Sequence, residues 1–183
     1  MEPWHLMKES QCINLFAAER TYPNSMVERS STDFSAALEL GLAALAKRDQ
    51  PEHKIRAQLI KAGFESETID SVIERLQSKR ILNDERFAHA HVRARVAKGI
   101  GVERIRLELQ QLGVDTEVIL LATSAPAQDA SELAFEALQR RVQKSPPLNR
   151  ARAMRFLSGR GFSDDEVEHA VSLVFGAVDE FTE

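Results

Sequence analysis

From Phe34 onward the apolar residues of this chain recur at helical spacing, and the spacing itself repeats. Ile55, Leu59 and Ala62 lie at i, i+4 and i+7, which predicts one apolar helical face; Ile105, Leu109 and Leu112 do the same. The series Ile55–Leu59–Gly63–Phe64–Ile69 returns 50 residues later as Ile105–Leu109–Gly113–Val114–Ile119. It returns after a further 48 as Ala153–Leu157–Gly161–Phe162–Val167. Upstream, Phe87 maps onto Phe135 and Ala37 in the same register. Three copies of one unit thus fill residues 34–176.

Each copy reads helix, helix, glycine stop, helix. Gly63, Gly113 and Gly161 fall where a helix end favours a residue able to take positive φ. An apolar residue follows each glycine, then an acidic helix start: Glu65 and Glu67, Asp115 and Glu117, Asp164 to Glu166. Acids there complement the positive end of the helix dipole, and Ser163 with Glu166 has capping-box spacing. Asn83–Asp84–Glu85 opens the second unit in the same way, while Pro51 and Pro146–Pro147 punctuate the first and third. No strand alternation persists beyond a few residues. The expected fold is all-α: three tandem three-helix repeats, at 34–82, 83–124 and 125–176, forming an elongated, curved array. Residues 1–33 read as a loosely ordered extension with at most one short helix around Ile13–Glu19, and 177–183 as an acidic tail. Within the register, Ala62, Leu112 and Arg160 share one column that the periodicity places toward the core, where Arg160 conflicts with its mates.

Composition narrows the functional classes. Apolar residues make up 43% and charged residues 28%, the balance of a soluble folded chain, and no apolar run approaches the ~20 residues needed to span a bilayer. The lone Cys12 excludes an internal disulfide framework and a multi-cysteine metal site. With no basic-then-apolar leader, the expectation is a cytoplasmic protein. An enzyme reading finds little support. His89 and His91 are two apart on a helix and point to different sides; His5, His53 and His169 have no ligand-spaced partner. Lys98–Gly99–Ile100–Gly101 lacks both the terminal Gly-Lys-Ser/Thr and the preceding strand of a phosphate loop, so Gly99 and Gly101 are assigned to turn geometry. No catalytic residue, metal site or cofactor is expected.

The placement of charge says more than its sum of −4. From residue 86 to 106 the bases are Arg86, Arg93, Arg95, Lys98, Arg104 and Arg106, opposed only by Glu103. From 140 to 160 they are Arg140, Arg141, Lys144, Arg150, Arg152, Arg155 and Arg160, with no acid. Such stretches suit phosphates or an acidic protein surface. Arg160 is expected to reach outward to a partner, so that its loss would weaken binding without lowering the melting temperature. Sequence-specific reading by a helix-turn-helix is disfavoured, because the third helix of every unit begins with acids that would meet phosphates.

Leu82–Asn83–Asp84–Glu85–Arg86–Phe87–Ala88, then Lys98–Gly99–Ile100–Gly101 with Arg104–Ile105 and Glu108–Leu109, resembles the RecX family of recombinase regulators. Gly161–Phe162 after Leu157 and Leu45–Ala46–Lys47–Arg48 look like that family's closing and opening signatures. Asn83 stands where the family often has an acid, and residues before Phe34 have no counterpart in it. The resemblance implies tandem three-helix repeats and a non-enzymatic regulator of RecA. Such a protein lies in the groove of the RecA–single-stranded-DNA filament and restrains its ATPase, strand-exchange and coprotease activities. It implies electrostatic contacts from Arg86, Arg93, Lys98, Arg104 and Arg106 in the middle unit and Arg140, Arg141, Arg152, Arg155 and Arg160 in the last. Which of them would touch DNA and which RecA stays open; Phe87 is assigned to the core. A monomer, with weak direct contact to single- or double-stranded DNA and no membrane association, completes the expectation. Two rival readings remain, a general single-stranded nucleic-acid-binding repeat and a protein scaffold.

Overall fold

Nine α-helices and no strand account for the described residues of the computed structural model, which are 26–124, 129–144 and 148–176, with side chains from residue 33 onward. The first unit holds α1 (Met26–Lys47), α2 (Glu52–Lys61) and α3 (Ser66–Ser78). The second holds α4 (Asp84–Val96), α5 (Val102–Gln111) and α6 (Thr116–Thr123). The third holds α7 (Ala130–Lys144), α8 (Arg150–Ser158) and α9 (Asp164–Phe175).

Each unit closes its own core. Ile55 and Leu59 of α2 pack with Ile69, Val72, Ile73 and Leu76 of α3 beneath Ala37 of α1. Ile105 and Leu109 repeat this with Ile119 and Ala122 beneath Ala88, and Ala153 and Leu157 with Val167, Ala170 and Val171 beneath Leu133, Ala134 and Leu138. Burying one such leucine or isoleucine contributes roughly 1.5–3 kcal/mol, so the i, i+4 pair on every second helix anchors its unit. Phe87, like Phe135, is partly buried and lies at the margin of its core.

The glycine stops are Schellman turns. The N–H of Phe64, Val114 and Phe162 reaches back to the carbonyl of Leu59, Leu109 and Leu157, with φ of +89°, +78° and +82° at Gly63, Gly113 and Gly161. Side-chain caps start the following elements: Asn83, Asp115, Asn149 and Ser163 each accept from an N–H of the first turn. Ser163 and Glu166 form the reciprocal capping box that their spacing implies.

Two expectations are corrected. The helix opening the first unit starts at Met26, so residues 26–33 belong to α1 and not to a loose extension. No proline or glycine interrupts the chain between Met26 and Leu40, and extending an existing helix needs only one bond per residue fixed. The short helix expected at Ile13–Glu19 and the acidic tail lie outside the described residues. The column of Ala62, Leu112 and Arg160 does not share one environment: Leu112 is partly buried against the core of its own unit, Ala62 is exposed, and Arg160 is partly buried against the preceding unit.

Candidate functional site

The two junctions between units are built differently, and the second one gathers the basic residues. Between the first and second units, Arg86 of α4 pairs with Asp49 at 2.9 Å and donates to the carbonyls of Arg80 and Ile81. The Asp84 carboxylate accepts from the N–H of Glu52 at the start of α2. Between the second and third units the contact is through backbone. The N–H groups of Gly101 and Glu103, opening α5, donate to the carbonyls of Arg160 and Gly161, closing α8. The positive end of one helix thus meets the negative end of the next. Val96 packs against the cores of both units.

Glycine at 101 is required for that approach. A Cβ there would stand 2.1 Å from the Gly161 carbonyl oxygen, although its φ is an ordinary −72°. Of the two glycines assigned to turn geometry, Gly99 at φ +68° fits, whereas Gly101 is there for close packing between units. Gly99 also meets unit three, where a Cβ on it would lie 3.0 Å from that of Ala137.

Basic side chains converge on this seam. Arg160 donates to the carbonyls of Lys98 and Gly99 at 2.9 and 3.0 Å, and its guanidinium lies 4.5 Å over the Phe156 ring. Arg104 donates to the Gly159 carbonyl and pairs with Glu108; Arg140 donates to the Ala97 carbonyl and pairs with Glu136. Arg141 approaches the same Phe156 ring at 6.0 Å. Burial, and then the Arg140 charge, hold the Arg160 pKa below its usual value. The junction therefore holds Arg104, Arg140, Arg141 and Arg160, each engaged by a carbonyl or a ring of the second or third unit.

Arg160 does not reach outward. Its donors are spent on two carbonyls of the preceding unit, which exposed carbonyls and an adjacent aromatic face make favourable. Arg160→Ala is accordingly expected to lower the melting temperature of the third unit by several degrees, at a cost of about 2 kcal/mol. Thermal denaturation followed by amide exchange in α8 and α9 checks this.

The remaining candidates divide by whether they have partners. Arg106 is held by Glu103 and Thr123. Arg93, Lys98, Arg152 and Arg155 are exposed, and their side chains make no hydrogen bond or ion pair among the described residues. Arg152 and Arg155 share the outward side of α8, opposite the buried Ala153 and Leu157. Arg93 lies on the outward side of α4, opposite Ala88 and Val92. Those four cations are the ones available to an external anion.

One cluster is invisible to spacing. Glu108 on α5 accepts from Arg95 and from His91 on α4, the latter at 3.1 Å, and lies 3.4 Å from Arg104. Partners 13 and 17 residues away on another helix follow no period. Arg95's hydrogen bond, aided by His91 and against the effect of burial, holds the Glu108 carboxyl below its ordinary range. A depressed carboxyl contributes stability above the unfolded-chain value, ~4.3, and loses it as pH falls through the folded value. Asp84 is displaced upward by burial and so loses nothing on acidification. The acid limb of a melting-temperature profile should therefore be shallower in Glu108→Gln than in the wild type. No group of three His, Cys, Asp or Glu among the described residues is placed to hold a metal, and no helix is long and apolar enough to cross a membrane.

The comparisons with known proteins follow this architecture. Residues 37–76 match the model of the RecX first three-helix domain, and 83–122 that of the second. The regulatory protein RecX of Chromohalobacter salexigens is 35% identical over 145 residues, covering 78% of this chain and 95% of the relative. The chain belongs to the RecX family. The RecX of Vibrio campbellii is 32% identical over 137 residues, covering 73% of this chain and 88% of its own length. The crystal structure of RecX from Lactobacillus salivarius shares the fold at a TM-score of 0.69 and 19% identity, over 79% of this chain and 97% of that one. A second RecX crystal structure does so at 0.65 and 23%, over 78% and 73%. The two family domains coincide with the first two units, so the fold expected from the internal repeat is the RecX fold.

Proposed function

We propose that this RecX-family protein is a non-enzymatic regulator of RecA that binds the groove of the RecA–single-stranded-DNA filament and inhibits its ATPase, strand-exchange and coprotease activities. The observation that carries the reading is the set of unpaired, exposed cations Arg93, Lys98, Arg152 and Arg155 on the two units flanking the basic seam. They offer positive charge to phosphates or to acidic side chains without first breaking an internal ion pair. Arg104, Arg106, Arg140 and Arg141 add to the local potential while holding the scaffold. Arg86 and Arg160 act mainly on the junctions.

The test is DNA-dependent ATP hydrolysis by RecA from the same organism, with this protein titrated below the RecA concentration. Inhibition at substoichiometric amounts is expected, because a filament-bound regulator acts on an assembly. Inhibition only at amounts that coat the DNA would overturn the reading in favour of a general single-stranded-DNA binder.

A further inference from the structure

Among the described residues, the two junctions leave the array with a matching pair of uncovered ends. In the second unit, a Cβ on Gly113 would stand 2.5 Å from the His53 ring; in the third, one on Gly161 would stand 2.4 Å from Arg104. Each glycine turn is thus seated on the start of the second helix of the unit before it. The first unit's equivalent, Gly63, has none of the described residues within 4 Å of where a Cβ would be. At the other end, the start of α8 is the register equivalent of the seats on α2 and α5: Ala151 matches His53 and Arg152 matches Arg104. Ala151 and Arg152 are exposed.

The ends also differ in charge. Glu65 and Glu67 follow Gly63 and are exposed without an ion pair, while Arg152 and Arg155 are unpaired beside Ala151.

We propose that copies of this chain associate head to tail, the Gly63 turn of one seated on the start of α8 in the next, continuing the junction that already joins the units within a chain. Asn149 occupies the position of Gly101 and has a Cβ that the backbone contact of the second junction excludes. The first junction, with Pro51 at that position and the glycine seated on the following histidine, is therefore the pattern the contact follows, Gly63 against Ala151. One turn on one helix start is a small interface, so the protein is monomeric when dilute. Association sets in at about millimolar local concentration, which binding to a common template supplies. This inference does not rest on what the template is.

Sedimentation equilibrium of the full chain at low salt, taken up to about 1 mM, tests it. The mass should rise past the dimer without a plateau, because a heterologous contact does not close. Gly63→Asn keeps a residue tolerant of positive φ and meets no neighbour among the described residues of the same chain. Ala151→Glu adds an acid to the first turn of α8, where the helix dipole favours it. Each variant alone should remain monomeric, and an equal mixture should form dimers and stop there, since each supplies the end the other lacks. A single-chain mass for wild type at 1 mM would overturn the proposal, as would association that persists in both variants or a mixture that stays monomeric.

Discussion

Gly101→Ala should separate the second and third units while leaving the first two intact. The added methyl would overlap the Gly161 carbonyl carbon at 2.3 Å and the Phe162 nitrogen at 2.6 Å, all rigid backbone. No rotamer relieves such a contact; the helix ends themselves must part by about 1 Å, and overpacking of this kind costs roughly 1–3 kcal/mol. Parting them also lengthens the Gly101 N–H bond to the Arg160 carbonyl, now 2.9 Å, and draws Arg160 away from the carbonyls of Lys98 and Gly99. The total is expected near 3 kcal/mol, on the order of that overpacking cost plus one or two hydrogen bonds. Because units in a tandem array contact only their neighbours, the loss should appear as early melting and faster amide exchange in α7 to α9. Gly63→Ala is the control. It has strained φ but open space among the described residues, so it should cost only the backbone contribution of about 1–2 kcal/mol. If Gly63→Ala is the more damaging of the two, close packing at 101 is not what that glycine provides.

That contrast also shows what the sequence can express. The three glycines ending the second helices are legible because a Schellman turn is local: its bonds span six residues, and the pattern Leu-x-x-x-Gly-apolar repeats. The cores are legible for the same reason, since Ile55 with Leu59 and Ile105 with Leu109 mark their own helix faces. Gly101 is different. What it must avoid lies 60 residues away at Gly161, and nothing beside it in sequence distinguishes a turn glycine from one that admits a neighbouring unit. Arg160 fails for a related reason. Its register mates meet different surroundings, Leu112 its own unit's core and Ala62 solvent, so the periodicity places no common neighbour beside Arg160. Glu108 stands in a recognisable motif with Leu109, but its role is to hold Arg95 and His91 of another helix. The basic residues can be counted from the sequence, but which of them are already engaged depends on partners in other helices that no spacing marks.

The free ones set the second large effect. Replacing Arg152 and Arg155 together by Glu should weaken binding to the RecA–DNA filament by about tenfold or more while leaving the melting temperature within a degree or two. Stability is spared because neither side chain has a partner among the described residues and both project from the outer side of α8. Binding suffers because each loses an attraction and gains a repulsion at the same position. Arg86→Glu is the opposite case: it places a carboxylate beside Asp49 and abandons two carbonyls, so its cost should fall on the first junction. Salt dependence then separates the two kinds of ligand. If Arg152 and Arg155 meet DNA phosphates, the slope of log affinity against log salt should become shallower by roughly 0.7 per contact, on naked single strands as well as on filaments. If they meet acidic side chains of the recombinase, the loss should be confined to the filament, with binding to naked DNA unchanged. Unchanged affinity for both ligands would remove α8 from the interface and leave Arg93 and Lys98 of the middle unit as its remaining free cations.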